Sequence, residues 1–342
     1  MIPSTPRPRQ REVPSGWQQQ LAECVTSVPE LLAALGLDAH LVPEASVRAQ
    51  SFPLRVPLSY VARMRRGDPA DPLLRQVLPT LAETVEQPGF VADPLGELEA
   101  LAAPGLLHKY RGRALLITTS VCAIHCRYCF RREFPYAAQS ETPRWSEALA
   151  GIERDTSIRE VILSGGDPFA LGNARLASLT RALERAPHIE RLRVHTRLPI
   201  VLPARVDAGL TEWLEGLRWR AVIVLHANHA NEIDAEVASA CARLRASGAT
   251  LLNQSVLLAG VNDDAATLAA LSERLFAAGV LPYYLHLLDR VRGTAQFEVA
   301  EQRARRILGA LSAGLPGYLV PRLVRESAGA PAKTPVPPLF PP

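Results

Sequence analysis

The chain has 342 residues, 48% of them hydrophobic, and its 38 Lys and Arg against 34 Asp and Glu give a formal net charge of +4. No apolar run reaches about eighteen residues, so no transmembrane helix is expected. The arginines are spread along the chain without a basic stretch interleaved with aromatics, which argues against nucleic-acid binding.

Residues 1 to 14, rich in Pro and Arg, read as a mobile arm. They lack the apolar centre of a signal peptide, so a cytoplasmic location is expected. With Ser15 as N-cap, Trp17, Leu21, Cys24 and Val25 fall at helical spacing. Pro29 opens a second helix through Leu31, Leu32 and Leu35, which Gly36 ends. Helical pieces broken by prolines continue to about residue 105, giving an N-terminal helical region over 15–105.

The pattern then changes. Apolar, β-branched runs at 114–118, 160–163, 191–195, 221–226, 250–254 and 281–287 recur about every thirty residues, the length of a βα unit. Between them lie amphipathic stretches such as 232–246 and 265–278. Continuous apolar strands alternating with helices indicate a parallel sheet with right-handed crossovers. The expected fold is α/β: a partial (β/α)6 TIM-like barrel over 106–327 behind the N-terminal helical region, followed by 328–342 with its Pro-rich tail.

Polar clusters follow nearly every expected strand. They are the cysteine loop, Ser164-Gly-Gly-Asp-Pro168, His195-Thr-Arg197, His226-Ala-Asn-His229, Gln254-Ser255 and Asp289-Arg290. The carboxyl ends of strands form the active-site face of a (β/α) barrel, so these clusters are expected to meet at one mouth.

Cys122, Cys126 and Cys129 form a C-x3-C-x2-C loop. Most electron-transfer clusters are closed by four cysteines. Three thiolates leave one iron of a [4Fe–4S] cluster open to bind and activate a ligand. A structural zinc site with His125 as fourth ligand is the alternative. Zinc ligands usually come as two short pairs, and no second Cys pair is present, since Cys24 and Cys241 stand alone in helix-like stretches. A zinc-stabilised RNA-binding module therefore stays open as a reading from a different class. Free thiols close together suit a reducing compartment.

The loop resembles that of the radical S-adenosylmethionine (SAM) enzymes. Cys126-Arg-Tyr-Cys-Phe-Arg-Arg132, Asn253-Gln-Ser-Val-Leu-Leu258 and Pro282-Tyr-Tyr284 resemble one family of that class, the lysine 2,3-aminomutases, over about residues 15 to 335. The nearest resemblance is to its short branch, which makes (R)-β-lysine for attachment to elongation factor P. The resemblance implies an isomerase on a radical SAM barrel, with a [4Fe–4S] cluster, SAM and pyridoxal 5′-phosphate (PLP). It assigns Cys122, Cys126 and Cys129 to three irons, Gly165, Gly166 and Asp167 to the methionine amino group of SAM, and His226 to a further SAM contact.

Pro321-Arg-Leu-Val-Arg-Glu326 with Lys333-Thr-Pro335 resembles the family's PLP-lysine region. Lys333 is then the amine that condenses with the PLP aldehyde. Arg113 is placed at the PLP phosphate, with Tyr110 and Gln254 as neighbours. Only two lysines occur in the chain, Lys109 and Lys333. For the substrate, the resemblance gives Arg131 a bidentate pair with the α-carboxylate and gives Asp289 and Glu326 the ε-ammonium. Two acids at that end select a cation, lysine first and arginine or ornithine as alternatives, and reject glutamate. The implied reaction moves the amino group from the α- to the β-carbon of L-lysine.

Two departures stand out: Ala123 where the longer enzymes have a polar residue, and Glu326 where they have Asp. The chain ends soon after Lys333, so neither the zinc nor the tetramer of the longer enzymes is expected. Expected partners are L-lysine, an external reductant, elongation factor P and its β-lysine ligase, with no nucleic acid or membrane.

Overall fold

A computed structural model describes residues 16–42, 52–136 and 145–340. The expected arm, the N-cap Ser15 and the last two residues of the tail lie outside the described residues. Helix α1 (Trp17–Ala22) stops after one and a half turns. Cys24 and Val25, expected on it, leave the helix: Val25 exchanges backbone hydrogen bonds with Val56 at 2.8 and 2.9 Å. Helix α2 (Val28–Leu35) has Pro29 in its first turn and ends at Gly36, whose φ of 66° suits a residue without a Cβ.

Among the described residues, the rest of the region up to residue 100 holds single turns such as Leu58–Val61 and Pro72–Arg75. Prolines remove the amide donors that longer helices need. The segment is nonetheless packed, with Tyr60, Leu73 and Leu74 fully buried.

Ten strands form one sheet in sequence order. Strands β1 (Leu101–Ala103), β2 (Leu106–Tyr110) and β3 (Arg113–Thr119) are antiparallel neighbours. From β3 the sheet continues in parallel through β4 (Glu160–Gly165), β5 (Arg191–Thr196), β6 (Ala221–His226), β7 (Thr250–Val256), β8 (Leu281–His286) and β9 (Arg322–Arg325). Strand β10 (Thr334–Pro335) returns antiparallel along β9. The sheet thus stays open, with β1 and β10 as edges, and reaches beyond 106–327 on both sides.

Six helices supply the parallel crossovers: α3 (Trp145–Arg154), α4 (Asn173–Leu183), α5 (Ala208–Glu215), α6 (Ala235–Ala246), α7 (Ala265–Ala277) and α8 (Glu301–Gly314). Their starts are written in the sequence. Asp207, Asp234 and Asp264 cap α5, α6 and α7, accepting from Leu210, Val237 and Thr267 N–H at 2.8 to 2.9 Å. Such a cap stabilises a helix by about 1 kcal/mol. Asp234 is the reason α6 begins at Ala235; residues Ala230–Glu232 form a separate turn.

Leu176, Leu179 and Leu183 of α4 and Val237 and Leu244 of α6 belong to the same buried core as Val161, Leu192, Val194 and Ile223 of the strands. Every residue of β4 is buried, as expected for a central parallel strand covered on both faces. No helix among the described residues is long and apolar enough to cross a membrane.

Candidate active site

Every residue placed in the site from the sequence lines one cavity, the three cysteines and Lys333 included; it runs from the loops after the strands down to Arg113 at the start of β3. The polar clusters after the strands do meet at one mouth, because parallel strands deliver their carboxyl ends to the same side.

The cysteine loop leaves β3 and is held by the N-terminal segment. The N–H groups of His125 and Arg127 donate to the carbonyls of Arg55 and Gln76 at 2.9 and 2.8 Å. Arg127 is fully buried; its Nε donates to Glu83 Oε1 at 2.9 Å, and Arg132 Nη2 donates to the same carboxylate at 2.8 Å. Ala123 is buried, and its carbonyl accepts from Cys24 Sγ at 3.6 Å. This position thus packs the loop onto the N-terminal segment. His125, the fourth ligand of the zinc alternative, does not line the cavity. Its Nδ1 lies 2.9 Å from Pro53 O and its ring stacks on Phe52.

Burial, then the neighbouring Cys129, pushes the Cys122 thiol well up; burial and Cys126 push Cys129 to about 11. Three thiolates in one cavity repel one another, and a cationic iron–sulfur cluster is the kind of group that removes this penalty. The donor set fits the cluster.

Gly165 and Gly166 bring the end of β4 against the base of this loop. A Cβ at Gly166 would stand 2.5 Å from Val121 O, and one at Gly165, where φ is 119°, would stand 2.7 Å from Thr119 O. Gly166 N–H donates to Thr119 O at 2.7 Å. Asp167 corrects the sequence expectation. Its Oδ1 accepts from Phe169 N–H at 3.0 Å and Thr196 Oγ1 at 2.6 Å, and its Oδ2 from the N–H of Arg197 and Leu198 at 2.7 and 3.0 Å. A carboxylate has about four lone-pair sites, so this one is filled by protein donors and has none left for a ligand ammonium. His226 closes this side, with its Nε2 2.9 Å from Tyr128 Oη and its ring stacked on Tyr128. Burial and then Arg197 lower it to about 3, so it is neutral.

At the opposite end Lys333, just before β10, pairs with Glu326 at the end of β9 and lies 5.8 Å above the Tyr284 ring. Lys109 on β2 reaches the same carboxylate at 3.3 Å. Burial alone would raise Glu326, but Lys333 and Lys109 hold it down to about 2. Arg113 lies over the Tyr110 ring at 4.5 Å. Burial and Glu326 raise the Tyr110 phenol. Gln254 enters from β7.

Two residues given no role from the sequence, His195 and His286, also line the cavity. Each has a buried Nε2 without a hydrogen-bond partner. Burial keeps both neutral, with Lys333 among the cations that lower them further. Orphaned ring nitrogens beside Lys333, Arg113 of β3 and Arg193 of β5 fit a polar, anionic aromatic cofactor such as PLP.

Asp289 lies beyond β8 and makes no side-chain hydrogen bond or ion pair among the described residues. Burial, then Glu326, raises it to about 7. Arg131 differs from expectation. Its Nε and Nη2 form a bidentate pair with Glu97 at 2.7 and 2.8 Å, so the edge assigned to the substrate carboxylate is occupied. Its Nη1 lies on the cavity side, donating to Ser164 Oγ at 3.0 Å and to Gly165 O at 3.4 Å. Glu97 also lies 3.6 Å from Lys109 Nζ. The only forewarning of Lys109 was that it is one of two lysines, and nothing local pointed to Glu97.

A family profile described as a 4Fe-4S single cluster domain matches residues 111–192. The L-lysine 2,3-aminomutase of Escherichia coli is 50% identical over 94% of this chain and 94% of its own length. That of Haemophilus influenzae is 44% identical over 98% of both chains. The L-lysine 2,3-aminomutase of Clostridium subterminale is 33% identical over 95% of this chain and 78% of its own length.

Proposed function

Because the chain belongs to the lysine 2,3-aminomutase family of radical SAM enzymes, we propose that it converts L-lysine to (R)-β-lysine, and that this product serves the β-lysylation of elongation factor P. When bound, the [4Fe–4S] cluster and SAM supply a 5′-deoxyadenosyl radical, and PLP supplies an aldehyde that holds the migrating amino group. The protein residues bind, orient and exclude water around that chemistry.

Cys122, Cys126 and Cys129 hold the cluster, and His226 faces SAM as a neutral ring. Gly165 and Gly166 contribute by letting β4 close against the cluster loop. Lys333 would be the amine that condenses with the PLP aldehyde, and its pairing with Glu326 holds the side chain in the cavity. Arg113 is the partner for the PLP phosphate, with Tyr110 beneath it and Gln254 nearby. Arg131 offers Nη1 to the substrate α-carboxylate while Glu97 fixes its orientation.

The observation that carries the choice of substrate is Asp289. Asp289 is half-buried on the cavity wall with no side-chain hydrogen bond or ion pair among the described residues, and a substrate ammonium would offset the cost of ionising it there. Glu326 lies beside it, occupied by two lysines, so one unpaired acid faces one substrate cation.

Coverage of the E. coli and H. influenzae relatives almost end to end, against 78% of the clostridial one, supports the short-branch reading. The test is incubation of the anaerobically reconstituted protein with SAM, dithionite and, separately, L-lysine, L-ornithine, L-arginine and L-glutamate. L-lysine alone should be isomerised well. Preferential turnover of another amino acid contradicts the substrate assignment. Loss of the β-lysyl group from elongation factor P in a strain lacking the gene tests the downstream role; an intact modification contradicts it.

A further inference from the structure

Arg197, which directly follows β5, is buried at a junction between the cluster loop, the N-terminal segment and the turn after β6. Its Nη1 donates to Cys126 Sγ at 2.7 Å and to Tyr128 Oη at 2.6 Å. Its Nη2 donates to Gln76 Oε1 and to Glu232 Oε2, each at 2.8 Å. Two further interactions fix its place. Asp167 accepts from the Arg197 backbone N–H, and Tyr128 Oη lies 2.9 Å from His226 Nε2. One guanidinium therefore touches a cluster cysteine and, through Tyr128, the histidine facing SAM.

A guanidinium stays charged in proteins and donates only. Placed on the sulfur of a cluster ligand, it favours whichever oxidation state carries more negative charge, and that is the reduced one. Hydrogen bonds to the sulfurs, net charge and burial are the levers that set a cluster's potential. Glu232, fully buried and ion-paired to the same guanidinium, acts in the opposite direction.

We propose that Arg197 is a positioning residue that raises the reduction potential of the cluster through Cys126 Sγ, and that Glu232 is the counter-charge that limits this rise. The proposal rests on the reading that Cys122, Cys126 and Cys129 hold a [4Fe–4S] cluster. A cation beside a cluster-bound sulfur favours the cluster that has accepted an electron.

The experiment uses the full chain, reconstituted anaerobically, as wild type, Arg197→Met, Arg197→Lys and Glu232→Gln. Iron and sulfide content and melting temperature are recorded first. The midpoint potential is then read by electron paramagnetic resonance during a dithionite titration without SAM or lysine, in which one electron reduces each cluster. Arg197→Met should lower the midpoint by about 59 mV or more, a tenfold change in a one-electron equilibrium. Glu232→Gln should raise it, and Arg197→Lys should stay closer to wild type than Arg197→Met.

Opposite signs for the two deletions are what a merely structural role does not produce. Loaded variants with the wild-type potential, or both shifting the same way, overturn the proposal. If Arg197→Met does not load iron, Glu232→Gln and Arg197→Lys decide it: a raised potential in the first with a near-wild-type value in the second supports it, and any other result overturns it. A wild-type protein without iron and sulfide overturns the cluster reading itself.

Discussion

At the cysteine end of the cavity the protein pairs its own charges. Asp167 accepts four donors, Glu97 closes the fork of Arg131, and Glu232 balances Arg197. At the Lys333 end, Lys109 and Lys333 share one carboxylate, while Asp289 faces the cavity alone. The first arrangement suits a cluster that stays in place through every turnover and has to be held in one geometry. The second suits groups that exchange partners, as the proposed roles of Lys333 with a cofactor aldehyde and of Asp289 with a substrate ammonium require. The cysteine end is anchored between β3 and the N-terminal segment, whereas the lysine end is built near the two ends of the sheet, from β2, β9 and β10. The more fixed chemistry thus sits on the more enclosed framework.

Breaking each end separately should give the largest effects. Cys126→Ala should lose the cluster and all turnover, seen as missing iron and sulfide. Lys333→Ala should lose turnover while iron and sulfide stay at wild-type levels. Full turnover by Lys333→Ala refutes its assignment to PLP.

Asp289→Asn should raise the KM for L-lysine about 30-fold, from the roughly 2 kcal/mol or more that truncating a buried charge pair costs. The pH dependence has a definite sign. With the folded-state carboxyl raised to about 7, ionisation occurs as pH rises through that value. The lysine ammonium stays charged until about pH 10. KM should therefore fall as pH rises through about 7 and then level off, and Asp289→Asn should flatten this inflection. Stability runs the other way. The folded state holds a proton that the unfolded chain, with a pKa near 3.9, has already lost, so ionised Asp289 destabilises the fold as pH rises from about 4 to 7. Asp289→Asn should melt higher than wild type at pH 8.

Gly166→Ala should destabilise the fold by about 1–3 kcal/mol, the usual cost of overpacking, because its Cβ meets the backbone of Val121. A melting temperature equal to wild type contradicts the close approach of β4 to the cysteine loop. Glu97→Gln is the subtlest change. It should lower stability by about 1.5–3 kcal/mol through the weakened charge-assisted pair, and raise the KM for lysine by loosening the orientation of Arg131. An unchanged KM removes Arg131 from substrate binding.

The parallel strands were legible because a strand covered on both faces has to be continuously apolar, as 161–163 and 221–225 are. The helix starts at α5 to α7 carry their own signals in Asp207, Asp234 and Asp264. The β1–β2 hairpin was not legible, since His108, Lys109 and Tyr110 break the apolar run and take their place from pairing with β3. The early region misled because helical spacing at Trp17 and Leu21 does not reveal that Val25 pairs with Val56.

In the site, position after a strand pointed to the polar clusters and the family resemblance to Lys333, Arg113, Tyr110 and Glu326, and these residues line one cavity. The partners that occupy them were hidden. Glu97 pairs with Arg131 from an irregular segment, and Asp167 is filled by donors from the turn after β5. Both are long-range contacts with no local pattern.

Incubation of the reconstituted enzyme with L-lysine labelled with nitrogen-15 only at the α-amino group, followed by NMR of the product, tests the central claim most directly. The label should appear on the β-carbon of β-lysine. SAM cleavage with the label still on the α-carbon, or lysine recovered unchanged by a protein loaded with iron, sulfide and PLP, contradicts the assignment.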